Sequence, residues 1–389
     1  MTRPAGGRLG PWVIAGTVAW VGLLWLGWTL WQQVPHKAGF DLVLLLDAAR
    51  RVQAGGGPYD PAMLAGTSPD ATSLFYSYPP PVAQALTALA WLPDGVVLVL
   101  WGLGATAGLA LAAAKLAATG GRTDGRGVAL RAALVAPLIL PFAIALLFGN
   151  LDAWYPLAFG ALVAAVLPGS SPRTRAAGGI ALGVVAVAKL HPASILAWLV
   201  LRVVVDRRGP AASVLAATAI TGLVIVAASV VVGGTGPWLD YAGVIRAGAG
   251  AAVIDPRNVG PVSMLGQVVA LSADGARVAQ VAVAILALGV SALAAVRVRD
   301  ALASLAIAIT ASLVVLPVTW YHYPVALIPV GIALALRGRG SRLAVAAATV
   351  LADVAIGLTP LLWPAVGVLL WGARGEPVRD PVAAPRSQP

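Results

Sequence analysis

The 389-residue chain contains no cysteine, which excludes disulfides, thiolate metal ligands and cysteine nucleophiles. It contains only three histidines, so a metal site would have to rely on carboxylates. Charged residues make up 11% of the chain, against about 25% in soluble globular proteins. This shortage of charge excludes a water-soluble fold with an ordinary polar surface.

Apolar residues, by contrast, make up 59% of the chain, and the mean hydropathy is +0.89. Because about 20 apolar residues cross a bilayer as a helix, the sequence predicts an all-α integral membrane protein with about 12 transmembrane helices. The predicted spans are 11–31, 94–117, 132–148, 151–168, 177–189, 192–204, 211–232, 277–296, 302–316, 324–336, 343–357 and 360–372. We treat 1–373 as one polytopic domain and 374–389 as a short cytoplasmic tail.

The distribution of basic residues predicts the orientation, because Lys and Arg concentrate in cytoplasmic loops. With a cytoplasmic N-terminus, most of the 26 basic residues fall in cytoplasmic connections, whereas His36, His191 and His322 fall outside. The two long non-spanning segments, 32–78 and 233–276, also lie outside, and loops of this length are usually functional. The sequence therefore predicts a plasma membrane protein with its active site on the outer side.

An amphipathic helix at the membrane interface is predicted over 40–54, where apolar residues recur at helical spacing. Asp41 stands at the start of this helix, which makes it either a helix N-cap or a catalytic carboxylate. Asp47 is explained by a surface pair with Arg50 and Arg51, three and four positions later, and is the reserve candidate for the catalytic carboxylate.

Several short motifs follow one another along the predicted outer side. They are Gly57-Pro58-Tyr59-Asp60, Tyr78-Pro79-Pro80, Phe148-Gly149-Asn150-Leu151, Ala188-Lys189-Leu190-His191-Pro192, Asn258 and Pro317-Val318-Thr319-Trp320-Tyr321-His322-Tyr323. Taken alone, Asp60 is a turn residue. The order and common placement of the motifs resemble glycosyltransferase family eighty-seven, the DUF2029 proteins, over most of the chain. The element around Asn150 departs from the family's Gly-Gln-x-Asn pattern, because the Gln is missing.

The resemblance implies a GT-C fold and a membrane mannosyltransferase or arabinosyltransferase of the actinobacterial kind. Its donor would be a polyprenyl-phosphate sugar, and its acceptor a glycolipid or lipoglycan among membrane lipids. We expect α-mannosyl transfer with inversion, and an arabinofuranosyltransferase is the alternative. No metal and no cofactor are expected. Nucleic acid is not an expected partner, because the basic residues are dispersed over short loops.

By this resemblance Asp41 matches the aspartate of the first outer loop and is expected to be the general base. Lys189 and His191 interrupt an apolar stretch, and a charge in such a stretch is a functional-site hypothesis by default. Both suit the donor phosphate. The alternative is that Lys189 snorkels to the interface and His191 caps a helix end. His322 is expected at the donor site.

The remaining candidates are polar residues in outer loops. Asn150 and Asp152 are expected to hydrogen-bond sugar hydroxyls, or to serve the loop alone. Arg257 and Asn258 are expected to contact the acceptor. The aromatic residues beside His322 are interpreted as anchors at the membrane interface.

Two hypotheses from other classes compete with an enzyme: a transporter or lipid flippase, and an inactive membrane scaffold. Transporters tend to place polar residues and broken helices near the bilayer midplane, often in two related halves. Here the polar residues gather in outer loops and no internal repeat is visible, which favours the enzyme. A scaffold does not explain Lys189 or the outer histidines.

Overall fold

The computed structural model describes residues 10–33, 37–60, 64, 76–207, 209–251, 253, 255 and 257–374. In that part of the chain the regular secondary structure is helical, which confirms the all-α prediction. The α-helices are α1 (Gly10–Trp31), α2 (Phe40–Gln53), α3 (Pro80–Leu86), α4 (Asp94–Thr119), α5 (Gly125–Val135), α6 (Leu140–Phe148), α7 (Tyr155–Val166), α8 (Pro172–Ala188), α9 (Leu190–Ala193), α10 (Ile195–Val205), α11 (Ala211–Gly233), α12 (Gly236–Ala251), α13 (Pro261–Val268), α14 (Ala273–Arg297), α15 (Ala301–Val315), α16 (Ile328–Arg337), α17 (Arg339–Val354) and α18 (Leu362–Ala373). The 3₁₀ turns are Ala136–Leu138, Leu151–Trp154, Tyr323–Leu327 and Thr359–Leu361. His36 and the predicted tail beyond Arg374 lie outside the described residues.

The described helices include four that are long and apolar enough to cross a membrane: α1, α4, α11 and most of α14. A fifth candidate is the pair formed by Gly125–Leu138 and Leu140–Phe148, which is bent by 78° at a break in the helix. The apolar helices at the other predicted spans are 10–17 residues long, shorter than a single crossing requires. The structure thus supports an integral membrane protein with four or five candidate spans, and does not show all twelve that the sequence predicts.

The long helices expose large apolar side chains, as expected for helices that contact lipid. Ile14 and Trp25 of α1 are each 69% exposed, and Val231 of α11 is 85% exposed. Apolar surface of this extent is rare on soluble monomers and marks contact with another apolar phase. These helices therefore favour a location in the membrane.

The core of the helix bundle is built from tightly packed small and large apolar residues. Phe142, Phe159 and Trp198 are almost completely buried in it. Where α8 meets α7, a Cβ on Gly178 would lie 2.3 Å from the Cβ of Ala165, so only glycine allows this approach. Such contacts between small residues are a common way for membrane helices to associate.

Helix α2 confirms the predicted amphipathic helix, but its apolar face packs on protein. Leu42, Leu45 and Leu46 are at most 1% exposed and belong to one cluster with residues of α3 and α4. The sequence predicted that this face lies at the membrane interface. The structure differs because the neighbouring helices already remove these side chains from water.

Arg50 anchors α2 to the start of α4. Its guanidinium lies 3.0 Å from Asp47 Oδ1 and also donates to Asp94. The predicted pairing of Asp47 is therefore confirmed for Arg50. Arg51 instead donates to the Pro58 carbonyl at 2.7 Å, across the turn that follows the helix.

The second long segment, 233–276, is largely helical, because α12 and α13 lie within it. Tyr241 and Val244 of α12 pack against the same cluster as α2 and α3. The described parts of 32–78 and 233–276 therefore contact each other in the fold, which the sequence did not predict.

Candidate active site

Two glycines in left-handed backbone conformations bring the first polar residues together. Gly39, with φ 68°, precedes α2, and Gly149, with φ 65°, follows α6. The Gly39 N–H donates to the Leu147 carbonyl at 2.8 Å, so the start of α2 is fastened to the end of α6. This contact places Asp41, in the first turn of α2, beside Asn150.

Substituting alanine for Gly149 is expected to destabilise this junction. A Cβ at Gly149 would lie 2.6 Å from the Cβ of Leu42, and its positive φ disfavours any residue with a Cβ. We expect a loss of about 1–3 kcal/mol, the usual cost of overpacking, measured by thermal unfolding in detergent. Gly102→Ala is the matched control, because nothing lies within 4 Å of a Cβ there. Equal unfolding midpoints for the two variants would contradict the argument.

Asp41 accepts a hydrogen bond from Asn150, whose Nδ2 lies 2.7 Å from Asp41 Oδ2. The N-cap alternative is wrong, because the cap residue of α2 is Gly39 and Asp41 lies inside the helix. Burial raises the pKa of Asp41 to about 6, although the Asn150 hydrogen bond and the positive charge of Lys189 oppose the rise. A carboxylate with this pKa is well matched to act as a base near neutral pH.

Asn150 connects Asp41 to a second carboxylate. Its Oδ1 accepts from the Asp152 N–H at 2.8 Å, and its carbonyl accepts from Trp101 Nε1 at 3.1 Å. Asp152 is completely buried, and both its oxygens lie 2.9 Å from Lys189 Nζ. Asp41, Asn150, Asp152 and Lys189 are thus connected by hydrogen bonds, with the backbone N–H of Asp152 as the link to Asn150.

The ion pair of Lys189 and Asp152 is buried, with Lys189 only 9% exposed. The Lys189 ammonium also lies 3.9 Å from the centre of the Tyr323 ring and 5.8 Å from that of Tyr78. The opposite charge and the electron-rich ring faces offset the loss of water around the amine. The snorkelling alternative is wrong, because the amine points to Asp152 and not toward solvent.

His191 lies behind this pair and is fully buried. Its Nε2 is 3.2 Å from the Tyr155 hydroxyl, and its Nδ1 is 3.4 Å from Ser312 Oγ. The imidazole stacks on Tyr323, with ring centres 5.3 Å apart and planes inclined by 19°. Both ring nitrogens face side-chain hydroxyls, so the alternative that His191 caps a helix end is wrong.

His322 presents an open nitrogen to the ion pair. Its Nε2 lies 3.5 Å from Asp152 Oδ2 and makes no hydrogen bond to any described residue. Burial lowers the pKa of His322 well below its usual value, and the charge of Lys189 lowers it further. The ring is therefore neutral at pH 7. A buried polar atom without a partner in the described part of the chain is available to a bound ligand.

Asn258 holds the chain segment that leads to His322. Its Oδ1 accepts from the Thr319 N–H at 2.9 Å, and its Nδ2 donates to the Pro317 carbonyl at 2.8 Å. These bonds give the buried Asn258 amide a structural role. Its predicted contact with the acceptor stays a prediction.

Arg257 lies at the edge of the site with a half-exposed side chain. It pairs with Asp255, at 2.6 Å between Nη2 and Oδ2, and its guanidinium carbon is 5.7 Å from the centre of the Trp320 ring. Burial alone would raise the pKa of Asp255, but the hydrogen bonds from Arg257 outweigh it and lower the pKa. This pair therefore stays charged near neutral pH.

The structure thus brings together most of the predicted site residues, which we name the polar cluster. Its members are Asp41, Asn150, Asp152, Lys189, His191 and His322. Arg257 and Asn258 belong to the neighbouring segment. Among the described residues, no group of three or more histidine, aspartate or glutamate side chains is placed to hold a metal ion. The polar cluster offers two carboxylates, an amide, an ammonium group and two imidazole rings.

Sequence reasoning missed three tyrosines that line the polar cluster, Tyr78, Tyr155 and Tyr323. Tyr323 is only 4% exposed, so its interpretation as an anchor at the membrane interface is wrong. Tyr155 follows Asp152 by three positions, one helical turn, and that spacing was the available signal. The signal is weak because tyrosines beside prolines are also typical of membrane interfaces.

A known protein family matches the chain over more than half of its length. The family model described as Glycosyltransferase family 87 matches residues 76–320, more than half of the chain. This range contains Asn150, Asp152, Lys189 and His191, while Asp41 and His322 flank it. No curated protein matches the sequence significantly. The match covers more than half of a helical chain that has several candidate membrane spans. The chain therefore belongs to glycosyltransferase family 87 and is a membrane glycosyltransferase.

Proposed function

We propose that the protein transfers mannose from polyprenyl-phosphate mannose to a glycolipid or lipoglycan acceptor at the outer face of the plasma membrane. The observation that carries the proposal is the partly exposed Asp41 carboxylate, with a pKa of about 6, hydrogen-bonded to a buried and charged cluster. The proposal includes one GT-C domain over 1–373 with twelve spans. The short apolar helices would then cross the membrane together with their neighbours.

In the proposed reaction Asp41 is the general base. The acceptor hydroxyl oxygen attacks the anomeric carbon, its proton moves to Asp41, and the bond between the sugar and the donor phosphate breaks. A single displacement inverts the anomeric carbon, so a β-linked donor gives an α-linked product. At pH 7 a carboxyl group with a pKa of about 6 is mostly ionised and can accept the proton. Asn150 would hold Asp41 in place.

The leaving phosphate is assigned to the side of Lys189 and His322. An ammonium has three donor hydrogens, and Asp152 orients Lys189 without using every one of them. His322 would donate through its open Nε2 in the tautomer that carries a proton there. His191 would act from behind, through Tyr155 and Tyr323, since both its nitrogens already have partners.

Arg257 and Asn258 are assigned to the acceptor side of the site. The half-exposed Arg257 guanidinium beside Trp320 offers a cation and a flat aromatic surface, which together suit a charged glycolipid headgroup. Asn258 would support this side from within the protein. Asp152 is completely buried, so it would act on the donor indirectly, by holding Lys189 in place.

The test is transfer of labelled sugar to membrane lipids by the purified protein in detergent. We expect transfer from polyprenyl-phosphate mannose and none from polyprenyl-phosphate arabinofuranose. Asp274→Asn is the control and should transfer normally, because that carboxylate is 89% exposed. Transfer from arabinose alone would overturn the sugar and support the alternative. Loss of both activities, with movement of the donor across vesicle bilayers, would support a flippase instead.

A further inference from the structure

A carboxylate from the C-terminal part of the chain lies at the bend that leads to Asn150. The bent helix pair is interrupted at Ile139, and α6 begins at Leu140. The first N–H groups of a helix have no acceptor within the helix. At this bend the Leu140 N–H donates to Asp353 Oδ1 at 2.8 Å, so the side chain of α17 caps α6.

The same part of the chain supports the other segments of the site. We name residues 352–363 the C-terminal brace. Its Ala352 carbonyl accepts from the hydroxyl of Tyr321, and Trp363 Nε1 donates to the Val259 carbonyl at 2.9 Å. The brace therefore contacts the chain beside His322 as well as α6. It lies outside the range that the family model matches.

Asp353 is too far away to touch the reacting groups. Helix α6 has nine residues, so its far end lies roughly 13 Å from Leu140. That far end carries the Leu147 carbonyl, which holds the start of α2, and it leads directly into Asn150. Helix α2 is also packed on α3 and α4 and tied to Asp94, so a shift of α6 moves Asn150 relative to Asp41.

We propose that Asp353 is a positioning residue, which holds α6 and thereby sets the distance between Asn150 and Asp41. A carboxylate among apolar helical residues is expensive unless it has a partner, and the Leu140 amide is that partner. Tyr321 is a titratable group close to Asp353. The expected effect of Asp353 on sugar transfer rests on the proposed function. The hydrogen bond between Asp353 and Leu140 does not.

The experiment compares Asp353→Ala with Asp353→Asn in the full-length protein. Asparagine keeps an oxygen that can accept from Leu140, whereas alanine does not. Hydrogen exchange, read by mass spectrometry, is expected to speed up by roughly tenfold or more over 140–150 in Asp353→Ala, the size expected for losing a hydrogen bond to a charged acceptor. Asp353→Asn should speed up exchange clearly less than Asp353→Ala, since a neutral acceptor keeps part of this hydrogen bond.

Sugar transfer provides the second measurement on the same variants. Asp353→Ala is expected to lower kcat by roughly 10-fold to 100-fold, the usual effect of misplacing a group by about 1 Å. In the same variant, the fall of kcat on the acid side of the pH profile (the acid limb) should move to higher pH. The reason is that a weaker hydrogen bond from Asn150 raises the pKa of Asp41. A merely structural role would not move the acid limb. Asp274→Ala is the surface control and should change neither measurement.

The two measurements separate the possible outcomes. Unchanged exchange over 140–150 in Asp353→Ala would overturn the cap, whatever happens to transfer. Faster exchange with a normal kcat and acid limb would overturn the positioning role. If wild type transfers no sugar, the proposed function fails. Hydrogen exchange over 37–46 in Asp353→Ala then decides whether Asp353 holds the end of α6 against the start of α2. If Asp353→Ala does not fold, Asp353→Leu offers the same test with a bulkier apolar side chain.

Discussion

Replacing Asp41 by asparagine is expected to lower the rate of sugar transfer by about 10²-fold to 10⁴-fold, the usual contribution of general base catalysis. Asparagine has nearly the same shape and still accepts the hydrogen bond from Asn150, but it cannot take a proton. The measurement is kcat with polyprenyl-phosphate mannose at saturating acceptor. Thermal unfolding of the same preparation checks that the variant is folded.

Asp47→Asn is the matched control for Asp41, since both carboxylates belong to α2. Asp47 pairs with Arg50 on a half-exposed surface, so its loss should leave kcat close to wild type. A larger loss in Asp47→Asn than in Asp41→Asn would return the base role to the reserve candidate. Normal transfer by Asp41→Asn, with none by His322→Gln, would assign the base to His322, whose Nε2 is open.

The same assignment predicts how transfer depends on pH. Asp41 must be ionised to accept a proton, and burial raises its pKa from 3.8 to about 6, so activity should fall as the pH drops through about 6. Asn150→Ala removes a hydrogen bond that lowers this pKa, and the acid limb should move to higher pH. The positive charge of Lys189 also lowers the pKa of Asp41, and the negative charge of Asp152 raises it. An acid limb near pH 4 in wild type would contradict the assignment.

Removing the Lys189 ammonium is the change expected to cost the most stability. Lys189→Met keeps a long apolar side chain but leaves the buried Asp152 without its cation. Breaking a buried ion pair in this way typically costs about 3–5 kcal/mol, because one charge stays buried and uncompensated. The measurement is reversible denaturant unfolding in detergent micelles.

A second substitution distinguishes loss of the pair from loss of packing. Asp152→Leu together with Lys189→Met removes both charges, and the double variant should recover much of the stability lost by Lys189→Met alone. Arg277→Met is the surface control, because its pair with Asp274 is exposed and should contribute little. Wild-type stability for Lys189→Met would contradict the claim that the ion pair is buried in solution.

Local features of the sequence were enough to predict the elements that carry the site. The helical spacing of apolar residues over 40–54 predicted α2, because an apolar stripe needs no knowledge of what covers it. Lys189 was singled out because a charge in an apolar stretch is costly, whatever its partner is. These signals did not predict that α3 and α4 cover α2, or that Asp152 is the partner of Lys189.

The partners depend on contacts between distant parts of the chain. Lys189 meets Asp152 across 37 positions, and Asp353 meets Leu140 across 213. Each contact depends on how the helices cross and rotate, and a small rotation would separate the donor from its acceptor. The same holds for Tyr323, which stacks on His191 although its own neighbours resemble an interfacial belt.

The sequence by itself determined that this protein is helical and that it belongs in a membrane, and it singled out the charged residue that is costly in an apolar stretch. These properties follow from transfer free energies and helical periodicity, which add up over neighbouring residues. Only the tertiary structure decided that Asp41, Asn150, Asp152 and Lys189 form one hydrogen-bonded chain. Hydrogen bonds are short and directional, so their pairing is settled by the packing of whole helices and not by local composition.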